Sequence, residues 1–128
     1  MKAQPMIAAH DVPATSAWYQ RVLGLASGHG GDAYEQLVAD GEVVLQLHAW
    51  DTQEHPHLGD PSTMPLGNGV VLWFHDAAVA RAYERALASG AEVLQALQVN
   101  PLAGHREFWL RDPNGYTLVV AGNHGDIG

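Results

Sequence analysis

Eight histidines are the first residues of this chain that could do chemistry: His10, His29, His48, His55, His57, His75, His105 and His124. A neutral imidazole serves both as a metal ligand and as a proton acceptor near neutral pH. Cysteine is absent, so disulfides and thiolate–metal sites are removed. His55 and His57 form an H-x-H pair in a Pro- and Gly-rich stretch, a context that favours solvated side chains over ligation. His29 and His124 stand among glycines and read as exposed. Gly28-His29-Gly30-Gly31 lacks a strong strand before it and a Lys-bearing helix after it, so it is not a phosphate-cradling loop. Ser16, Ser27, Ser62 and Ser89 lie in helical or loop contexts, and no Gly-x-Ser-x-Gly motif is present.

Positioning such residues requires elements, and the sequence marks them twice. The apolar run Met6-Ile7-Ala8-Ala9 reads as a strand and leads to a helix with Asp11 as cap and Pro13 in its first turn. Trp18, Val22 and Leu25 recur at near-helical spacing, and Gly24 supplies a left-handed stop. The run Val70 to Phe74 reads as a second such strand. It leads to a helix capped by Asp76, running through Val79, Tyr83 and Leu87 and stopping at Gly90. Strands Tyr34 to Ala39 and Glu42 to Trp50 flank the hairpin signal Asp40-Gly41. Strands Glu107 to Arg111 and Tyr116 to Ala121 flank Asp112-Pro113-Asn114-Gly115, with further strands near 26–28 and 91–97. His10-Asp11 and His75-Asp76 stand 65 positions apart with the same order of elements after each, which is a duplication.

Composition bounds the rest. Of 128 residues 47% are hydrophobic and 16% charged, a composition that folds. The formal charge of −8, with Lys2 the single lysine, argues against nucleic acid as a partner. No apolar run reaches the ~20 residues of a membrane helix. The N-terminal MKAQPMIAAH lacks a secretion signal's apolar run, so the expectation is a cytoplasmic protein with no membrane partner.

Asp11-Val12-Pro13, Trp18-Tyr19 and Val22-Leu23-Gly24-Leu25 resemble the opening motif of the vicinal oxygen chelate superfamily. Phe108-Trp109-Leu110-Arg111-Asp112-Pro113-Asn114-Gly115-Tyr116 resembles its closing hairpin, and the resemblance spans about residues 4–121. The superfamily holds glyoxalase lyases, extradiol dioxygenases, fosfomycin-modifying transferases and bleomycin-resistance binding proteins. The resemblance implies an α+β fold of two βαβββ modules whose curved mixed sheets form a cup, and homodimers are common among its members. Module one is expected over about 4–50, a linker over 51–68 and module two over 69–122.

In metal-dependent members four cup-facing side chains, His or Gln, Glu, His and Glu, hold the ion. The matching positions here are Gln4, Gln46, Val70 and Val119, two amides and two hydrocarbons. A divalent ion gains neither a carboxylate nor an imidazole from them, so no metal and no cofactor is expected.

The resemblance makes Gln4, Met6, Ala8, Gln46, His48, Val70, Leu72, Phe74, Thr117 and Val119 the inward set, an apolar lining with few polar groups. His48 has two readings, a cup-facing proton acceptor or a strand-end residue bonded to the connecting loop. His10 is expected at the strand–helix turn, His75 toward the helix layer and His105 at the mouth of the cup. Trp73 is expected in the sheet–helix core. Trp50, Trp109 and Glu107 stand near strand ends as rim residues, with the sheet–helix core as the other reading of Trp109, and aromatic faces and an acid at the rim would suit an aromatic or cationic compound. The implied function is small-molecule binding of the bleomycin-resistance kind, with no catalytic residue assigned. The alternative is a lyase or dioxygenase-type enzyme with an atypical or absent metal site.

Overall fold

The strand–helix–strands pattern occurs twice. The computed structural model describes residues 1–50 and 55–125. It divides into two compact units, Met1–Met64 and Pro65–Gly128. The division falls inside the expected linker, of which residues 51–54 lie outside the described residues.

The first unit runs β1 (Met6–Ala9), α1 (Val12–Leu23), β2 (Ala26–His29), β3 (Tyr34–Ala39) and β4 (Glu42–Ala49). Its sheet order is β1-β4-β3-β2, with β1 parallel to β4 and the other pairs antiparallel. Asp11 caps α1 as its side chain accepts the Ala14 N–H at 3.0 Å, and Pro13 sits in the first turn. A cap of this kind stabilises a helix by about 1 kcal/mol. Gly24, at φ 72°, ends the helix, its N–H donating to the Gln20 carbonyl at 3.1 Å. Val12, Trp18, Tyr19 and Val22 are buried on α1, as are Ile7, Leu37, Leu45 and Leu47 on the sheet. Each such side chain contributes roughly 1.5–3 kcal/mol by leaving water.

Asp40 and Gly41, at φ 50° and 78°, form the two-residue turn between β3 and β4. Register then slips by one residue: Val38 opposes Val43, but Leu37 opposes Leu45, leaving Val44 as a bulge. That extra residue brings Gln36 opposite Gln46 and Tyr34 opposite His48.

The second unit runs β5 (Val71–His75), α2 (Val79–Ala88), β6 (Glu92–Asn100), β7 (His105–Arg111) and β8 (Thr117–Ala121). Its sheet order, β5-β8-β7-β6, has the same connectivity as the first. Asp76 does not cap α2. Its backbone N–H is tied to the Ala121 carbonyl at 2.9 Å, so its carboxylate meets the Ala78 N–H two residues on, and the helix starts at Val79. Leu87, expected on the apolar stripe, is exposed, whereas Val79, Ala82 and Ala86 are buried. The 112–115 turn is closed by Asp112, whose carboxylate accepts the N–H groups of Asn114 and Tyr116 at 2.8 and 2.9 Å.

Cross-strand rows decide which side chains face α2. Leu72, Leu118 and Leu110 form one row, and Phe74, Val120 and Phe108 the next. Phe108 meets Tyr83 of α2 at a ring separation of 5.1 Å, so both rows face the helix. The opposite face carries the rows Val71–Thr117–Arg111, Trp73–Val119–Trp109 and His75–Ala121–Glu107.

Candidate functional site

On the face of the first sheet opposite α1, β3 and β4 present Tyr34, Gln36, Gln46 and His48 side by side. The Tyr34 hydroxyl donates to Gln46 Oε1 and accepts from Gln36 Nε2, the latter at 3.1 Å. Gln46 Nε2 in turn donates to the Gln4 carbonyl at 2.8 Å. Both ends of the Gln46 amide are thus engaged within the protein. His48 Nδ1 lies 2.7 Å from the Ala49 carbonyl, which fixes the proton on Nδ1 and leaves Nε2 as the acceptor nitrogen. The loop residue His55 is exposed, as expected, and brings its ring to 4.4 Å from that of His48.

Met6 and Ala8 adjoin Gln46 and His48 in the same rows. Gln4 precedes β1 and lines a surface depression of about 470 Å³ together with Lys2, Ala3, Gly41, Glu42 and Val43. An exposed Lys2–Glu42 ion pair at 2.9 Å occupies that depression, and no imidazole borders it. Trp50 follows β4 with its ring 6.1 Å from His10. Its enclosed Nε1 lacks a hydrogen-bond partner among the described residues.

The inward set that the resemblance implies differs from the structure in the phase of β5. Leu72 and Phe74, expected to line the site, face α2, and Val70 precedes the strand. Val71, Trp73 and His75 take the opposite face, so Trp73 is not core: it is 53% exposed. His75 likewise turns away from the helix layer, and its Nε2 meets the side-chain oxygen of Asn123. Exchanging Val70 for Val71 at the family's third ligand position leaves a hydrocarbon there.

Glu107 and His105 also differ from expectation. Neither lies at a rim: they are 4% and 5% exposed. Glu107 Oε1 accepts from His105 Nε2 at 2.7 Å and from Asn100 Nδ2 at 2.9 Å, while Oε2 accepts from Trp109 Nε1 at 2.6 Å. Burial works to raise the Glu107 pKa, but the bonds from Asn100, Trp109 and His105 outweigh it and hold the carboxyl below its ordinary range. Trp73 packs edge-on to His105 at 5.8 Å, with His124 at 6.4 Å on that ring. Trp109 is therefore an anchored indole, not a loose rim residue.

Glu35, on the helix-facing side of β3, is the other buried glutamate. Burial again works upward, and bonds from Ser27, Ser16 and the backbone N–H groups of His29 and Gln36 bring its pKa below the ordinary value. Its oxygens, at 2.7–3.3 Å from four donors, tie β3 to α1 and β2.

Among the described residues, no cluster of three or more His, Cys, Asp or Glu could hold a metal ion. The family ligand positions do not fit one either. Gln46 is a neutral amide whose oxygen already accepts from Tyr34 and whose nitrogen donates to Gln4, and Val119 offers only carbon. Tyr34 and Gln36 were missed from sequence, because the Val44 bulge that pairs them with His48 and Gln46 leaves no mark in the residue pattern. No helix among the described residues is long and apolar enough to cross a membrane.

A family model described as Glyoxalase/Bleomycin resistance protein/Dioxygenase superfamily matches residues 3–120. No curated protein matches the chain. Among solved structures, the chain is similar to TioX from Micromonospora sp. ML1, with 21% identity, coverage of 95% and 98% of the two chains and a TM-score of 0.70. A protein of unknown function from Agrobacterium tumefaciens str. C58 gives 22% identity, 96% and 94% coverage and a TM-score of 0.77. A glyoxalase/bleomycin resistance protein/dioxygenase family enzyme from Burkholderia phytofirmans PsJN gives 21%, 91% and 94%, and 0.73. At these identities the likeness is one of fold.

Proposed function

The chain belongs to the Glyoxalase/Bleomycin resistance protein/Dioxygenase superfamily, and from that premise we propose that it binds a small aromatic molecule without the help of a metal ion. One observation carries the reading. The face of β5, β8 and β7 opposite α2 offers the exposed Trp73, the anchored indole of Trp109 and a single buried polar group, Glu107 with its donors. Aromatic surface with a few fixed polar atoms is the usual make-up of a ligand site. In the first unit, taken by itself, Met6, Gln46, His48 and Trp50, with Gln4 at the margin, are the proposed ligand contacts of that unit's own sheet. Val119 adds apolar surface in the second. A family metal reaction is disfavoured because Gln46 and Val119 stand where ligands would be needed. The binding protein works as a homodimer in the cytoplasm.

The test is thermal unfolding in chelator-containing buffer with a panel of planar aromatic compounds, neutral and cationic. A ligand at about 100 times its Kd adds about 2.7 kcal/mol, a Tm rise on the order of 10 °C for a domain of this size. No rise across the panel overturns the proposal. Stoichiometric metal in tag-free protein, lost in His48→Ala, would overturn the metal-free reading.

A further inference from the structure

The buried pair His105–Glu107 sets the state of a nitrogen that no described side chain uses. Glu107 is ionised at neutral pH and can only accept, so the proton between it and His105 sits on Nε2 of the imidazole. In the neutral imidazole His105 Nδ1 then carries a lone pair. Its ring neighbours are Trp73 and His124, and its one hydrogen bond within the protein is the one to Glu107. Trp50 Nε1 is the one enclosed side-chain donor or acceptor that lacks a partner among the described residues, so His105 Nδ1 is not sealed from solvent. The result is an oriented acceptor held against the exposed indole of Trp73.

The same geometry argues against a cation as the guest. Glu107 has three of its acceptor sites filled and is 4% exposed. A ligand ammonium would have to displace the Trp109 N–H to reach it.

We propose that His105 Nδ1, beside Trp73, accepts a hydrogen bond from the ligand, which makes the ligand a planar aromatic carrying an O–H or N–H donor, such as a phenol or hydroxylated heteroaromatic. This rests on the aromatic-binding function proposed above and names its ligand class. Trp73 supplies the stacking face and Glu107 acts as the positioning residue for the imidazole. A lone pair in an apolar setting rejects an analogue that cannot donate, because the acceptor is left unpaired on binding.

The experiment titrates the full chain with β-naphthol, with its methyl ether and with N-methylquinolinium, followed by calorimetry and by quenching of tryptophan fluorescence. The expected result is that β-naphthol binds about tenfold more tightly than its ether, a gap of about 1.4 kcal/mol. In His105→Phe that gap closes while ether binding is kept. His105→Gln, whose amide can still donate to Glu107 and offer an oxygen, keeps part of the preference and guards against a variant that merely misfolds. Equal binding of naphthol and ether by the native protein overturns the inference and leaves the aromatic-binding function standing. Tightest binding of N-methylquinolinium overturns it in favour of a cationic guest. No binding by any of the three overturns both.

Discussion

Two glutamates show how much one residue's surroundings decide. Glu35 and Glu107 are both buried, neither faces a Lys or Arg side chain in an ion pair, and both are held ionised by hydrogen-bond donors, with an electrostatic contribution from His105 at Glu107. Their folded pKa values lie below the unfolded ones, so each contributes stability that is fully present above the unfolded value, about 4.3. That contribution is lost as pH falls through the lower folded value. Thermal unfolding across acid pH is therefore expected to show a falling Tm below about pH 4.5. Glu35→Gln should cost roughly 1–3 kcal/mol at neutral pH, since a donor amide replaces an acceptor among four donors. It should also flatten the acid limb, and an unchanged limb in both Glu35→Gln and Glu107→Gln would show that other groups set it. From sequence, Glu107 read as an exposed acid near a strand end. Its burial depends on Asn100, His105 and Trp109 converging from β6 and β7, which no local pattern announces.

At the scale of elements, helix ends and hairpin turns were legible because their chemistry is local. Asp11, Pro13 and Gly24 bound α1 where the sequence places them, and Asp40-Gly41 makes the expected turn. Asp76 is the exception, because a long-range bond from its N–H to Ala121 moves it out of capping position. Two glycines of similar backbone separate strain from packing. Gly41 at φ 78° has open space where a Cβ would stand, whereas at Gly67, φ 69°, a Cβ would come within 2.4 Å of the Tyr116 ring. Gly41→Ala should cost about 1–2 kcal/mol, the left-handed penalty alone. Gly67→Ala should cost more, because the buried Tyr116 must also move. Chemical denaturation of both variants measures the difference, and equal losses would mean that the ring gives way freely.

For the whole molecule, exposed apolar side chains are the feature that a single chain leaves unexplained. Val70, just before the edge strand β5, and Val71 on it are exposed, as is Met6 on the edge strand β1. Edge strands with apolar side chains tend to be covered by pairing or by a partner. The proposed homodimer should appear in light scattering at micromolar concentration as twice the monomer mass, and Val70→Glu should shift it toward monomer. Monomeric native protein would remove the dimer from the proposed function.

The family and the two-module fold follow from sequence alone, since caps, turns and the duplicated order of elements are written in adjacent residues. What only the tertiary structure decided is which side chains meet. A strand's alternation has period two, so a shift of one residue turns every side chain to the other face. The run Val70 to Phe74 is apolar throughout and leaves that phase open. It is settled by the parallel pairing of β5 with β8, which sets Trp73 beside Val119 and Leu72 beside Leu118. The Val44 bulge resets phase in the same way, and so Tyr34 stands beside His48.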